Sequence, residues 1–341
     1  MEVRYFKYDK PFQLESGAVL PRLTVAYHTY GQQRSDNVLW VCHALTANSD
    51  VNDWWPHTVE PGRFLDPERY FIVCANILGS HYGTTGPLSS QPDGLPYYTD
   101  FPFVTIRDIA RVNLLLADHL GIQSVRALIG SSIGGFQALE MALTKPGFAE
   151  RLVLIATSAC SRPWATAINE SQRMAIRADQ TFGEPNEAAG KEGMSVARSI
   201  GLLSYRGSLA YNATQQDPDN TLRRTDRRAI TYQQYQGEKL TRRFDAYSYY
   251  TLTEAFDSHN VGRGRGGMEQ ALSTIDAETL LIGITSDIIM PVEELIFLYR
   301  HIPRARIHLL SSDFGHDGFL VEADKLNAIL KPFIDSNITE I

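Results

Sequence analysis

The chain has 341 residues, of which 43% are hydrophobic and 21% are charged, and its formal net charge is −7. This composition is ordinary for a globular protein, and the length allows a large core with one inserted subdomain. Acidic and basic residues are interspersed and no apolar run reaches the length of a membrane span, so neither nucleic acid nor a membrane is expected as a partner.

The cysteines and the N-terminus indicate the compartment. Cys42, Cys74 and Cys160 are too few and too widely separated for a disulfide framework, and no C-x-x-C pair indicates zinc. Cys42 and Cys74 lie in apolar runs and are expected to be small core residues. The N-terminus lacks the basic and then apolar pattern of a signal peptide. We therefore expect a cytoplasmic protein without a metal.

The first half of the chain predicts alternating strands and helices. Residues 1–30 alternate polar and apolar side chains, as in antiparallel strands at the edge of a sheet. Buried strands are predicted over 37–42 and 70–78, and an amphipathic helix over 106–120 ends at Gly121. This alternation predicts an α/β fold, with a mostly parallel sheet and helices on both of its faces.

Polar loops follow the two buried strands, where α/β sheets place their ligand sites. The first loop contains Leu45 and Thr46, and then Trp54 and Trp55, which could equally line a pocket or pack the loop against the core. The second loop, 79–87, is rich in glycine. It lacks the G-K-S/T ending of a phosphate-binding P-loop, so no nucleotide site is predicted there.

Residues 125–147 predict a nucleophile elbow. A short apolar strand runs into Gly-Ser-Ser-Ile-Gly at 130–134, which matches G-x-S-x-G, and an apolar helix follows until Pro146. So tight a turn requires small flanking residues and places Ser132 at its apex with Oγ exposed. The motif alone also occurs by chance, so the prediction depends on whether the chain supplies a base, an acid and oxyanion donors.

The chain supplies a base and an acid in the right order. Strands are predicted over 279–285 and 305–310, and they are followed by Asp287 and His316. The order Ser, Asp, His is that of the α/β-hydrolase fold. His316 would accept the proton of Ser132 during attack, and Asp287 would fix the imidazole tautomer and stabilise its charged form.

Other candidates for these roles are less suitable. Asp313 and Asp317 lie closer to His316 in the sequence, but a residue of the same loop rarely reaches the far ring nitrogen, so Asp287 is preferred. His43 precedes the nucleophile, which is the wrong order for the base in this fold.

An oxyanion hole is predicted from backbone N–H groups. The N–H of Ile133 would come from the start of the helix after the elbow, and the second N–H from Leu45 or Thr46 in the loop after the first buried strand.

The segment 159–271 interrupts the alternation of strands and helices. It is more polar, rich in Arg, Gln and Tyr, and predicted to be mostly helical without a buried strand. We interpret it as a helical lid inserted into an α/β-hydrolase core formed by 1–158 and 272–341. The run GRGRGG at 262–267 is expected to be a mobile loop leaving the lid, although its arginines could contact an anionic ligand.

Five stretches together resemble the homoserine O-acetyltransferase family of α/β hydrolases. They are CHALTANSDVNDWW, FIVCANILGSHYGTTGP, IGSSIGGFQALE, RFDAYSYYTLTEAFDSH and FGHDGFL, and the resemblance extends over roughly residues 20–335 in matching order. It implies ping-pong transfer of an acetyl group from acetyl-CoA to L-homoserine in methionine biosynthesis. Acetyl-CoA would be a co-substrate, and no cofactor would be needed.

The resemblance also implies roles for individual residues. Ser132, Asp287 and His316 match the triad, and the family's substrate-binding arginine and aspartate fall on Arg198 and Asp317. Family members usually form homodimers through their helical lids. The sequence departs from the family at Ser131-Ser132-Ile133, where members often have glycine, serine and methionine, but the nucleophile is retained.

Other functions remain open for the same residues. A homoserine or serine O-succinyltransferase would need a cation for the carboxylate of the succinyl group. No arginine stands in the loop of Leu45 and Thr46, which favours acetyl, although folding could bring one from the lid. An esterase or thioesterase would use the same triad with water. A binding protein without activity would usually lack a triad member, and none is missing.

Overall fold

The computed structural model describes residues 2–336. Its ten strands form one sheet of eight strands and one small sheet of two. In chain order, the strands β1 to β10 are Arg4–Tyr8, Phe12–Gln13, Val19–Leu20, Leu23–Tyr30, Val38–Cys42, Phe71–Ala75, Val125–Ser131, Ala149–Ile155, Glu278–Ile284 and Ala305–Leu310.

The large sheet is antiparallel at one edge and parallel elsewhere. Its strand order is β1, β4, β6, β5, β7, β8, β9, β10. β4 runs antiparallel to both β1 and β6, and every other neighbouring pair is parallel. In the parallel part, Cys42 lies opposite Gly130 and Ser131 lies opposite Ile155. The carboxyl ends of β5, β7 and β8 therefore meet at one edge of the sheet.

Twelve α-helices occur among the described residues. The helices α1 to α12 are Val51–Trp54, Ile106–His119, Ile133–Thr144, Pro163–Ala178, Lys191–Tyr205, Ser208–Gln215, Arg228–Thr241, Ala246–Asp257, Met268–Ser273, Val292–His301, Gly318–Val321 and Ala323–Asp335. Short 3-10 turns occur at Tyr98–Asp100 and Gly315–Asp317.

Both faces of the sheet are covered by apolar side chains. One buried cluster includes Trp40 from β5 and Phe136 from α3, and a second includes Trp55, Phe64 and Phe319 on the other face. A strand that is covered on both faces needs apolar side chains in both directions, which explains the continuous apolar runs of β5 and β6. None of the helices within residues 2–336 is long and apolar enough to cross a membrane.

The structure confirms the predicted fold class and most predicted elements. The edge strands β1 and β4 are antiparallel, the strand predicted before the elbow is β7, and the strands predicted over 37–42, 70–78, 279–285 and 305–310 correspond to β5, β6, β9 and β10. The helix predicted over 106–120 is α2, whose first turn is closed by a capping box between Thr105 and Asp108. Cys42, Cys74 and Cys160 are buried free thiols.

The segment 159–271 contains the five helices α4 to α8 and the start of α9, which continues to Ser273, and none of the ten strands of the described chain falls within it. This helical content agrees with the secondary structure predicted for the segment. Its boundaries and its role as a lid stay predictions.

Candidate active site

The turn between β7 and α3 holds Ser132 in an unusual backbone conformation. Its φ is 56° and its ψ is −128°, a region that L-residues rarely adopt. Two hydrogen bonds to the following strand and loop maintain it. The Ser132 N–H donates to the Ile155 carbonyl at 3.0 Å, and the Thr157 hydroxyl donates to the Ser132 carbonyl at 2.9 Å. The serine is thus fixed at the apex of a strand–turn–helix.

Glycines make this turn possible because nearby backbone approaches closely. A Cβ atom at Gly130 would lie 2.1 Å from the Gly134 carbonyl oxygen, and a Cβ at Gly134 would lie 2.1 Å from the Cys42 carbonyl oxygen. These distances are far below a van der Waals contact. The G-x-S-x-G pattern therefore reflects the packing of α3 against the ends of β5 and β7.

The structure brings Ser132, His316 and Asp287 together in one hydrogen-bonded chain. His316 Nε2 lies 2.8 Å from Ser132 Oγ, and His316 Nδ1 lies 2.6 Å from Asp287 Oδ2. All three residues are buried. The loops after β9 and β10 and the turn after β7 supply one residue each, so the site lies at the carboxyl edge of the sheet.

The surroundings of Asp287 fix its carboxylate and set the charge of His316. Asp287 Oδ1 accepts hydrogen bonds from the N–H groups of Ile289 and Met290 at 2.8 and 2.9 Å. Burial opposes the charged imidazole, but the Asp287 carboxylate and, more weakly, Asp317 raise the pKa of His316 above its ordinary value. The arrangement can accept a proton from Ser132 and stabilise the resulting imidazolium.

The residues predicted to form an oxyanion hole either line the cavity of Ser132 or follow Ser132 directly in the chain. Leu45 and Thr46 line the same cavity as Ser132, and Ile133 is the first residue of α3. Within residues 2–336, no hydrogen bond to protein uses the N–H of Leu45, Thr46 or Ile133. These donors are therefore available to a bound carbonyl oxygen, and their role stays a prediction.

His43 has a structural environment. Its Nδ1 contacts the Ala44 carbonyl at 2.8 Å, and its Nε2 accepts a hydrogen bond from the Ile77 N–H at 3.2 Å. Burial lowers its pKa to about 4. Both ring nitrogens are occupied, so His43 has no free nitrogen for the proton of Ser132.

The sequence left open whether the two tryptophans line a pocket or pack the loop against the core, and each of them does one of these. Trp54 lines the cavity, and its Nε1 donates to the Asn48 carbonyl at 2.8 Å. Trp55 is buried, stacks on Trp54, and donates from Nε1 to the Phe319 carbonyl at 2.8 Å.

A cavity of about 430 Å³ contains Ser132 and His316. This volume lies within the range of small-molecule binding sites in proteins. The charged side chains of its wall come from the 159–271 segment, the Trp54 loop and the turn after β10. They are Asp53, Arg198, Arg206, Lys239, Arg243 and Asp317.

Arg198 and Asp317 both line this cavity, as the resemblance implied. Arg198 lies on α5 and makes no ion pair within the described chain, and its guanidinium lies 5.7 Å from the centre of the Tyr205 ring. Asp317 is paired with Arg206, whose Nε lies 3.0 Å from Asp317 Oδ2. Burial raises the pKa of Asp317, while Arg206, Arg198 and His316 lower it.

Two functional candidates were missed in the sequence, Arg206 and Arg243. Arg243 Nη1 donates to the Thr46 carbonyl at 2.5 Å and to the Tyr82 hydroxyl at 2.6 Å. The segment 159–271 therefore does bring an arginine to the loop of Leu45 and Thr46. No local pattern distinguishes either residue from the other arginines of the segment, although Arg206 follows Arg198 by two helical turns.

The arginines of the GRGRGG run serve internal ion pairs. Arg263 pairs with Glu15 at 2.7 Å, and Arg265 pairs with Glu140 at 2.8 Å. Arg107 bridges the two carboxylates. These ion pairs fix the loop to the core, and both arginines already have carboxylate partners within the protein. Within residues 2–336, no group of three or more His, Cys, Asp or Glu residues could hold a metal ion.

Comparisons with known proteins place this geometry in a family. A family model described as the alpha/beta hydrolase fold matches residues 37–323. The homoserine O-acetyltransferase of Cyclobacterium marinum is 42% identical over 99% of this chain and 96% of its own length. The crystal structure of homoserine O-acetyltransferase from Staphylococcus aureus superposes with a TM-score of 0.83 at 29% identity, covering 100% of this chain and 97% of that chain. Esterase E22 superposes with a TM-score of 0.88 over 98% of this chain and 100% of its own, but at 24% identity this likeness shows the fold alone.

Proposed function

The chain belongs to the homoserine O-acetyltransferase family of α/β hydrolases, and from this premise we propose a covalent mechanism for it. The enzyme transfers the acetyl group of acetyl-CoA to the hydroxyl of L-homoserine, a step of methionine biosynthesis. One observation carries the mechanism: Ser132 and His316, which are hydrogen-bonded in series with Asp287, line the same cavity as Arg198 and Asp317.

In the first half-reaction, Ser132 Oγ attacks the thioester carbonyl carbon while His316 Nε2 accepts its proton. The new C–O bond gives a tetrahedral oxyanion, which the N–H groups of Ile133 and of Leu45 or Thr46 stabilise. The C–S bond then breaks, and His316 gives its proton to the sulfur of the departing CoA. The products are acetyl-Ser132 and free CoA thiol.

In the second half-reaction, the homoserine hydroxyl replaces CoA. His316 Nε2 accepts the hydroxyl proton as the hydroxyl oxygen attacks the acetyl carbonyl carbon. The bond to Ser132 Oγ then breaks, and His316 returns the proton to Ser132. O-acetyl-homoserine leaves and the free enzyme is restored. Asp287 stabilises the imidazolium in both halves, which is consistent with its two backbone hydrogen bonds and its contact with Nδ1.

The acceptor is recognised at its amino-acid end. Homoserine presents a carboxylate and an ammonium group at the end opposite its hydroxyl. The Arg198 guanidinium, which has no ion-pair partner within residues 2–336, can donate two parallel hydrogen bonds to the carboxylate. Asp317, directly after His316, can accept from the ammonium group. The hydroxyl is then left near His316.

Acetyl is the preferred donor group. A succinyl group would bring a second carboxylate into the cavity, and this carboxylate would need a cation. Arg243 is the arginine nearest the Thr46 loop, and its Nη1 already donates to the Thr46 carbonyl and the Tyr82 hydroxyl. The relatives named above are acetyltransferases, which agrees with this preference.

Hydrolysis by the same residues is the alternative, since esterases share this fold. The experiment that separates the two follows CoA thiol release from acetyl-CoA with and without homoserine. Slow release without homoserine and a sharp rise with it support acyl transfer, because the acyl-enzyme then waits for the amino acid. Equal rates would support an esterase and contradict the proposal.

We also propose a homodimer that forms through the helical segment. Val196 and Leu203 lie two turns apart on α5 and are more than half exposed, and Leu209 on the adjacent α6 is exposed as well. A row of exposed large apolar side chains favours association with a second copy. Light scattering should give twice the chain mass, and Leu203→Glu should shift the mass toward a single chain. A monomeric wild-type protein would contradict this proposal.

The proposed location is the cytoplasm. The three cysteines are free thiols, as is usual in a reducing compartment. Fractionation of cells that express the full chain should recover it with cytoplasmic markers, and recovery with secreted proteins would contradict this location.

A further inference from the structure

The end of α5 packs backbone against backbone on the loop that carries His316. A Cβ atom at Gly207 would lie 2.0 Å from the Asp313 carbonyl oxygen, and a Cβ at Gly315 would lie 2.5 Å from the Gly207 nitrogen. Gly315 also has a φ of +67°, which a larger residue would adopt only with strain. The helical segment and the histidine loop are therefore in direct contact beside the catalytic cavity.

Arg206 stands at this contact and reaches the histidine loop with its side chain. It caps the C-terminus of α5, where its N–H donates to the Leu202 carbonyl. Its Nε lies 3.0 Å from Asp317 Oδ2, and this is the only salt bridge of Asp317 within residues 2–336. Both side chains are mostly buried, with 29% and 14% of their surface exposed. The contact is an ion pair without hydrogen-bond geometry, because Arg206 Nε makes no hydrogen bond within residues 2–336, and the Asp317 carboxylate is left to accept a hydrogen bond from a ligand.

Asp317 is buried between several charged groups. Burial raises its pKa, and the cations that face it act in the opposite direction, with Arg206 first and Arg198 and His316 after it. The Asp287 carboxylate raises the pKa further. An aspartate in this setting accepts a proton easily once a neighbouring cation is removed, and a protonated carboxyl no longer attracts an ammonium ion.

We propose that Arg206 is a positioning residue that keeps Asp317 ionised and directed into the cavity, and thereby selects an acceptor that carries an ammonium group. This inference rests on the proposed function, because Asp317 matters in this way only if the acceptor is an amino acid. The two arginines of the cavity then have different tasks. Arg198 is free to bind a carboxylate of the acceptor, whereas Arg206 acts through Asp317.

The test isolates the second half-reaction and compares two acceptors. Purified acetyl-enzyme is mixed with homoserine or with 4-hydroxybutanoate, which lacks only the ammonium group, and the loss of the acetyl group is followed over time. The wild-type enzyme should react far more efficiently with homoserine. In Arg206→Met this preference should fall about tenfold, because the ammonium–carboxylate contact is weakened by about 1.4 kcal/mol.

The pH dependence separates this role from a purely structural one. Removing the Arg206 cation raises the pKa of Asp317, so the preference for homoserine should be lost first at low pH and recover as the pH rises. Arg206→Gln keeps a hydrogen-bond donor but no charge and should behave like Arg206→Met, whereas Arg206→Lys should restore part of the preference. Arg306→Met is the matched control, since Arg306 is exposed and pairs with Glu278 away from the cavity.

Two results would overturn the inference. One is a folded Arg206→Met or Arg206→Gln variant with the preference and pH profile of the wild type. The other is an equal loss with homoserine and with 4-hydroxybutanoate, which would mean that Arg206 only supports the structure. A wild-type acetyl-enzyme that reacts with neither acceptor would instead contradict the proposed function, so the two failures can be distinguished.

Discussion

His316 Nε2 lies 2.8 Å from Ser132 Oγ, although 184 positions separate these two residues in the chain. The parallel sheet explains the contact, because the elbow after β7 and the loop after β10 end at the same edge. A serine hydroxyl at this distance from an imidazole can lose its proton as it attacks. The covalent mechanism depends on this single contact.

The rate of Ser132 acylation should depend on pH through His316. The neutral imidazole is the base, so the rate is lost as the pH falls through the pKa of His316. Asp287 raises this pKa, so the acid limb should lie above the ordinary histidine value of about 6.5. In Asp287→Asn, burial should dominate and move the limb to lower pH, with the maximal rate reduced by about 10⁴-fold. Rapid-quench acylation with acetyl-CoA over a pH series measures the position of the acid limb and the maximal rate. An acid limb at the same pH in Asp287→Asn as in the wild type would argue against the pairing of Asp287 with His316.

Arg198→Lys should impair acceptor binding specifically. Lysine keeps the charge but cannot form the two parallel hydrogen bonds of a guanidinium, so the KM for homoserine should rise about tenfold or more. Acetylation by acetyl-CoA alone should be retained, because that step needs no amino acid. Arg306→Lys serves as an exposed control. If Arg198→Lys loses self-acetylation and keeps its homoserine KM, then Arg198 belongs to the donor side.

Acetyl-CoA should be preferred to succinyl-CoA by about 100-fold in kcat/KM, because the succinyl carboxylate would need a cation at the Thr46 loop, where Arg243 already donates to the Thr46 carbonyl and the Tyr82 hydroxyl. Parallel kinetics with the two esters measures this ratio. A clear preference for succinyl-CoA would overturn the choice of donor. If that preference then disappears in Arg243→Met, Arg243 is the partner of the donor carboxylate.

Gly134→Ala should destabilise the elbow. The added Cβ would lie 2.1 Å from the Cys42 carbonyl oxygen, and backbone cannot yield as a flexible side chain can. Overpacking of this kind costs about 3 kcal/mol or more and should lower the Tm by several degrees. Gly283→Ala is the matched control in β9, where the nearest atom to a Cβ is a Leu309 side-chain carbon at 3.3 Å. Equal thermal stability of the two variants would show that the elbow is not closely packed.

Local residue patterns and the order of elements along the chain were enough to predict the fold and the hydrogen-bonded set of Ser132, His316 and Asp287. Ser132 is marked by the glycines that its turn requires, and Asp287 and His316 by their places after the last two strands of the sheet. These signals hold because a parallel sheet brings the ends of its strands to one edge. Chain order therefore predicts position in space.

The contacts of Arg206 and Arg243 could not be predicted in the same way. Each joins the helical segment to a loop of the core that is distant in sequence, as in the bond from Arg243 to Thr46 across 197 positions. The segment is rich in arginine, and no local sequence pattern marks which arginine will face a loop of the core. Its arginines therefore look alike in the sequence, and only folding separates the paired ones from Arg198, which was identified by resemblance alone.

The covalent mechanism is tested most directly by the intact mass of the protein after incubation with acetyl-CoA alone. The wild-type chain should gain one acetyl group, Ser132→Ala should gain none, and addition of L-homoserine should return the wild-type chain to its original mass with formation of O-acetyl-homoserine. Acetylation that persists in Ser132→Ala, or wild-type turnover without any acetyl-enzyme, would contradict the covalent mechanism through Ser132.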